Sequence, residues 1–398
     1  MKITNLQKIE EATPPAAPRV ALLQLGFRPF YLLGALFALL SVPLWLARYV
    51  GGWDGLPQAG MLWHMHEMVF GFAVAIVVGF LFTAARNWTG LWTPRGAHLG
   101  LVAALWIAGR AAMLLAPPLP AAVADLLFLP AAIAPLYRAM TRSGNRRNLP
   151  LLGLLALLWT ADAGFHAAVL GWVHWPAGRA VEAALLVLTT LSTVMGGRVI
   201  PGFTANMAPG SKPLTRPMLD RAGIALIGAA SLAWLADAPG PLTAALSVLA
   251  ATVHLWRLAG WAPRRTTPYP LLWILHLAYA WIGIGILMLG ASAVGLGSES
   301  SALHALAVGA MSSLILGMIT RTALGHTGRP VRAGLGERAI FCLISAAALT
   351  RVGANLAPGH CFNALLVAAG ACWSLAFLIY LIVYSPYLCR ARLDGREG

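Results

Sequence analysis

A run of apolar residues long enough to cross a bilayer leaves a chain few folds to choose from, and this sequence holds twelve such runs. Lipid offers no hydrogen bonds, so each run of about 20 residues must satisfy its backbone internally, as a helix or within a closed barrel. The period-two alternation of barrel strands is absent, so the chain reads as an all-α, polytopic integral membrane protein. The expected helices are Phe27–Tyr49, Met61–Arg86, Ala97–Leu115, Pro120–Met140, Pro150–Val173, Ala177–Ile200, Met218–Ala236, Pro241–Gly260, Pro268–Leu289, Ser301–Thr322, Gly336–Asn355 and Phe362–Tyr384. They divide the chain into an N-terminal tail (1–25), a twelve-helix transmembrane domain (26–385) and a basic C-terminal tail (386–398).

Charge placement tests that count. Only 10% of residues are charged, against roughly 25% in soluble domains, too few to cover a water-facing surface. Lys2, Lys8, Arg19 and Arg28 precede or open the first run, and every second connection after it is basic, from Arg86 and Arg95 to Arg390, Arg392 and Arg396. The alternate loops, 51–60, 117–119, 174–176, 237–240, 290–300 and 357–361, contain no Lys or Arg. The positive-inside rule then puts both termini in the cytoplasm. The net charge of +15 is thereby topological, and nucleic acid, which needs a clustered basic face, is not an expected partner; membrane lipids are. Arg48, Arg110, Arg179 and Arg351 fall in the outer parts of helices, against the general bias. The first 20 residues lack a basic segment leading directly into an apolar core, so they read as a cytoplasmic tail and not as a signal peptide. The four cysteines form no Cys-x-x-Cys, which excludes a disulfide framework and covalent haem attachment.

The second run opens with WHMHEMVFGF, which places His64, His66 and Glu67 at the entrance of a membrane helix. Ionisable residues there are costly and mark function by default. His66, His166 and His304 fall at similar depth on helices 2, 5 and 10; His276 lies deeper on helix 9, and His326 near the inner end of helix 10. His64 and His66 point to nearly opposite sides of a regular helix, so at most one of them faces any given partner. Asp162 precedes His166 by four residues and shares its face, the position of a carboxylate behind a ligand imidazole. His64, His66, His166, His276, His304 and His326 are the candidate metal ligands, with Glu67 and Asp162 behind them; imidazoles suit copper, zinc and haem iron.

Helices 2 and 10 also echo one another. His66, Gly71, Gly79, Thr89 and Gly90 align without a gap on His304, Gly309, Gly317, Thr327 and Gly328, at a constant offset (304 − 66 = 238). This reads as a four-helix pseudo-repeat through helices 2, 6 and 10, with Glu182 where helix 6 lacks a histidine. The glycines imply close packing, or room for a flat ligand against backbone. Matched depth makes His66 and His304 the expected pair across one haem. Arg198 and Arg321, at the inner ends of helices 6 and 10, are interfacial anchors or partners for haem propionates.

The segments GFRPFYLLGALFALLSVPLWL (Gly26–Leu46), WHMHEMVFGF with GFLFTAARNWTG (Trp63–Gly90), RVIPGFTANM (Arg198–Met207) and HALAVGAMSSLILGMITRTALGHTGRP (His304–Pro330) resemble the NnrS family, and the likeness extends over nearly the whole chain. The resemblance implies twelve spans in a bacterial inner membrane, haem and copper, and a role in nitric oxide metabolism and resistance to nitrosative stress. It carries no ligand over to any residue here. In architecture the chain also resembles the catalytic subunit of haem-copper oxidases, which has twelve spans, both termini inside and a low-spin haem on helices 2 and 10. Helices 6 and 7 depart from that pattern in lacking its copper-site histidines, so oxygen reduction is not expected. Nitric oxide or a related small molecule is the expected ligand, and electron carriage would call for a redox partner. The alternative is a secondary transporter without haem, with Pro130, Pro135, Gly283 and Gly285 along a path and His276 titrating. No Walker loop or hydrolytic triad is present.

Overall fold

The computed structural model describes residues 21–396, so Lys2, Lys8, Arg19 and most of the N-terminal tail lie outside the described residues. Its membrane-length helices are α1 (Phe27–Tyr49), α2 (Met61–Thr89), α3 (Ala97–Leu115), α4 (Pro118–Arg142), α5 (Arg146–Val169), α6 (Ala177–Met207), α7 (Pro217–Leu235), α8 (Gly240–Gly260), α9 (Pro270–Ala293), α10 (Glu299–His326), α11 (Leu335–Leu356) and α12 (Gly359–Cys389). No strand occurs among the described residues. α6, α10 and α12 run past their expected ends to Met207, His326 and Cys389. An apolar run stops at its first polar residues, whereas a helix continues through the headgroup layer, where water and lipid solvate those side chains.

Lipid tolerates an apolar helix on any side, so apolarity alone does not place a span within the bundle; α12, with a mean hydropathy of 2.3, is only 39% buried, and burial must be read from the packing. α2 and α10 lie at the centre: 78% and 72% of their most apolar windows are buried, against 28% for α7 at the periphery. α9 and α6 complete the inner group, and the other eight helices wrap it. The aligned glycines set the close approaches. A β-carbon at Gly79 would lie 2.7 Å from Phe30 Cβ, one at Gly317 2.7 Å from Leu275, and one at Gly309 2.5 Å from the Trp281 ring. Gly283 and Gly285, offered above as path-lining, likewise pack against Leu255 and Leu306.

Both central helices leave α geometry just after their aligned histidines. α2 is a π-helix over Glu67–Ala73 and α10 over Ala305–Ser312, so the two segments begin at the same offset (305 − 67 = 238). In α10 the hydroxyls of Ser312 and Ser313 donate to the carbonyls of Ala307 and Val308, five residues back, at 2.7 and 3.3 Å. A π segment inserts an extra residue in a turn and re-aims the side chains beyond it, and such segments are frequent at functional sites.

The described ends of the chain meet on one face of the bundle, as an even number of crossings requires. The Ala21 N–H donates to the Cys389 carbonyl at 2.8 Å, and Arg28 Nη1 donates to the carbonyls of Leu388 and Arg390 at 2.8 and 2.7 Å. Trp373 Nε1 donates to Ala38 O at 2.8 Å and fastens α12 along α1.

Candidate functional site

His64 and His66 do face opposite sides of α2, and each side holds a site. On the α3–α5 side lies a closed knot of charge. His66 is fully buried; its Nδ1 sits 3.0 Å from Glu67 Oε1, and its Nε2 2.9 Å from Asp162 Oδ1 and 3.2 Å from Asp125 Oδ2. His166 Nε2 lies 3.1 Å from Asp125 Oδ2 and 3.6 Å from Asp162 Oδ1. Arg110 Nη1 donates to both Glu67 oxygens at 2.9 Å, and its Nη2 donates to Asp125 Oδ1. The rings of Phe70 and Phe165 close over His66 at 4.8 and 4.4 Å between centroids.

Local sequence builds this knot. Gly71 lets the Glu67 carboxylate and Arg110 come together, because a β-carbon there would stand 2.7 Å from Glu67 Oε2 and 2.9 Å from Arg110 Nη1. Gly109 admits the α4 backbone, with Asp125 Cα 3.2 Å from where its β-carbon would be. Asp125 itself stands two residues before the break of α4 at Leu127. Three carboxylates against one guanidinium leave two negative charges uncompensated by fixed cations. Inside a bilayer that imbalance is costly unless histidines or a bound cation neutralise it. The ligand atoms of His66, Asp125, Asp162 and His166 all lie within 4.8 Å of one another. A tetrahedral ion with bonds of about 2.0–2.1 Å separates its ligands by roughly 3.3 Å. Four of the six ligand spacings, 2.9, 3.1, 3.2 and 3.6 Å, lie on either side of that value.

On the other side of α2 lies a cavity of about 490 Å³, walled by α1, α2, α6, α10, α11 and α12. Its walls are mostly apolar, Trp45, Met68, Phe72 and Trp373 among them, and its polar groups include His64, His304, Arg351, Glu182 and Glu299. The His64 ring lies flat on the Trp45 indole, 4.0 Å between centroids at 16°, and its Nδ1 is buried with no hydrogen-bond partner. His304 Nδ1 lies 2.7 Å from the Ser300 carbonyl. A carbonyl only accepts, so that nitrogen carries the proton and Nε2 keeps its lone pair. Glu182 accepts from Arg179 Nη1 at 3.1 Å and Trp234 Nε1 at 3.0 Å.

The two sites pair the expected histidines differently from the sequence reading. His66 joins His166, not His304, because carboxylates engage both of its ring nitrogens. The histidine that shares the cavity with His304 is His64. Glu67 and Asp162 stand beside imidazoles as expected, although Asp162 lies nearer His66 than its own helix neighbour His166. The remaining candidates line neither site. His276 Nδ1 bonds the Leu272 carbonyl at 3.0 Å, a contact along its own helix. The His326 ring packs on Phe27 at the far end of α10, Arg198 donates to Asn148 Oδ1 at 2.8 Å, and Arg321 covers the Phe203 ring at 3.9 Å. The arginine that lines the cavity is Arg351. Sequence reasoning missed Asp125 and gave Arg110 and Arg351 no role; a charged residue inside an apolar run was the signal for all three.

A family model, described as NnrS protein, matches residues 21–392. No curated protein matches the chain.

Proposed function

Since the chain belongs to the NnrS family, we propose that it is a haem- and copper-binding protein of the bacterial inner membrane that acts in nitric oxide metabolism and resistance to nitrosative stress. One observation carries this reading: a largely apolar cavity of about 490 Å³ lined by two imidazoles on different helices, one with a buried unpartnered nitrogen. That volume lies within the ~300–1,000 Å³ range of cofactor pockets. His64 and His304 would hold the haem, whose iron would supply electron exchange.

The chain's own groups prepare the pocket. The Ser300 carbonyl fixes the tautomer of His304, stacking on Trp45 fixes the ring plane of His64, and the apolar walls exclude water. In the knot, His66, His166, Asp125 and Asp162 would hold copper. Glu67 would accept a hydrogen bond from the Nδ1–H of His66 and leave Nε2 toward the other ligands, while Arg110 holds Glu67 and Asp125 in place. A divalent ion would neutralise the two surplus negative charges, and mixed imidazole and carboxylate donors suit copper in its oxidised state. With the described ends placed in the cytoplasm by the charge rule, both sites lie toward the periplasmic leaflet.

The test is the optical spectrum and metal content of the full chain purified from cells supplied with haem and copper. An intense Soret band that His304→Ala removes is the expected result. A colourless protein sinks the reading and favours the transporter alternative.

A further inference from the structure

Arg351 is the feature of the cavity that the reading above leaves unexplained. Its Nη2 donates to Ser300 Oγ at 3.0 Å, and its Nη1 is buried with no hydrogen-bond partner. The arginines at the same end of the bundle, Arg110 and Arg179, meet carboxylates, Glu67 and Asp125 for the first and Glu182 and Asp237 for the second. Among the described residues Arg351 has no such ion pair. The cavity's two carboxylates do not serve it: Glu182 is taken by Arg179 and Trp234, and Glu299 lies beyond ion-pair distance. Arg351 is half-buried, and a guanidinium with one nitrogen buried and no counter-charge is disfavoured within a bilayer, so an anion that arrives with the cavity's ligand is favoured there.

Ser300 ties this cation to the imidazole. Its carbonyl accepts from His304 Nδ1 and its hydroxyl accepts from Arg351, so one residue of α10 positions both groups. The α11 segment that bears Arg351 is itself held to α10. Ser301 Oγ donates to the Val352 carbonyl, and Asn355 Nδ2 donates to Ser301 Oγ, both at 2.9 Å. The guanidinium is thus pre-set, and a planar fork with a free N–H edge matches a carboxylate.

We propose that Arg351, steadied by Ser300, is an anion subsite that receives a carboxylate on the otherwise apolar ligand of the cavity. Resting on the haem reading, the proposal identifies that carboxylate as a haem propionate.

The full-length protein is produced haem-free and titrated with haemin and with haemin dimethyl ester, in which both propionates are neutral, and the Soret absorbance is followed. A charge-assisted hydrogen bond contributes about 1.5–3 kcal/mol, so wild type binds haemin roughly 10–100-fold more tightly than the diester. Arg351→Gln brings that ratio close to one by weakening haemin alone, and Arg351→Lys retains part of it. Wild type binding both forms equally overturns the subsite while leaving the haem pocket standing, and needs no variant to fold. A ratio unchanged in Arg351→Gln overturns it too. Wild type binding neither form overturns the haem reading and, with it, the propionate.

Discussion

Two residues apart on α2, His66 and His64 enter opposite worlds. The His66 side is closely knit: three carboxylates, a guanidinium and a second imidazole meet at hydrogen-bond distance, with Arg110 Nε left unpartnered. The His64 side is open, about 490 Å³ of mostly apolar space in which an imidazole nitrogen and a guanidinium nitrogen have no partner. A compact set of charged donors is what a bare ion needs, because the protein must supply every ligand. Unsatisfied polar atoms around an apolar void are what a large ligand needs, because the ligand brings its own surface.

If the two sides serve different cofactors, their losses separate, and this is the largest effect expected. His304→Ala should abolish the Soret band and leave protein-bound copper near the wild-type ratio, while His66→Ala should do the reverse. Optical spectra and elemental analysis of the same preparations check both; loss of both signals in either variant would merge the two sites into one. Next in size is Arg110→Met, which strands the carboxylates of Glu67 and Asp125 without their cation. Removing one partner of a buried charge network costs about 3–5 kcal/mol, to be read as a drop in thermal stability in detergent, whereas Arg351→Met should be far milder because no protein carboxylate depends on it.

Gly71→Ala should cost about 1–3 kcal/mol by overpacking, since its new methyl meets Glu67, Arg110 and the Phe37 ring. Copper affinity should fall with it while the haem spectrum holds. The smallest effect lies outside the membrane, where a hydrogen bond from Arg392 holds the Asp394 carboxyl below the usual carboxylate range. A depressed value stabilises the folded tail above the ordinary aspartate value of 3.8, and that contribution fades as the pH falls through the lower one. Amide protection near residues 390–396, taken relative to the unstructured peptide at the same pH, should therefore fall at strongly acidic pH in wild type; in Asp394→Asn it should already be low at neutral pH.

The helices were legible because lipid makes apolar length decisive, and so α1 and α3 begin and end where the sequence placed them. The residue types of the sites were legible too, since His66, Glu67 and Asp162 stand out in apolar surroundings. Their partners were not. Which face of α2 meets α5 and which meets α10 depends on helix arrangement, and the π segments that re-aim side chains carry no clear mark in the sequence. Asp125 was hidden for another reason: it is a lone acid without a spaced companion, and only the fold of α4 beside Gly109 carries it to His166. A cavity is an absence among side chains from six helices, and no single run of sequence encodes one.

The clasp between α1 and the end of α12 sets an order of events at the ribosome. Arg28 reaches the Leu388 carbonyl across 360 positions, so α1 is made long before its final neighbour has been translated. The first helix of the bundle is therefore among the last to be locked, and a nascent chain interrupted before α12 emerges holds an unsealed seam along α1 for membrane quality control to detect.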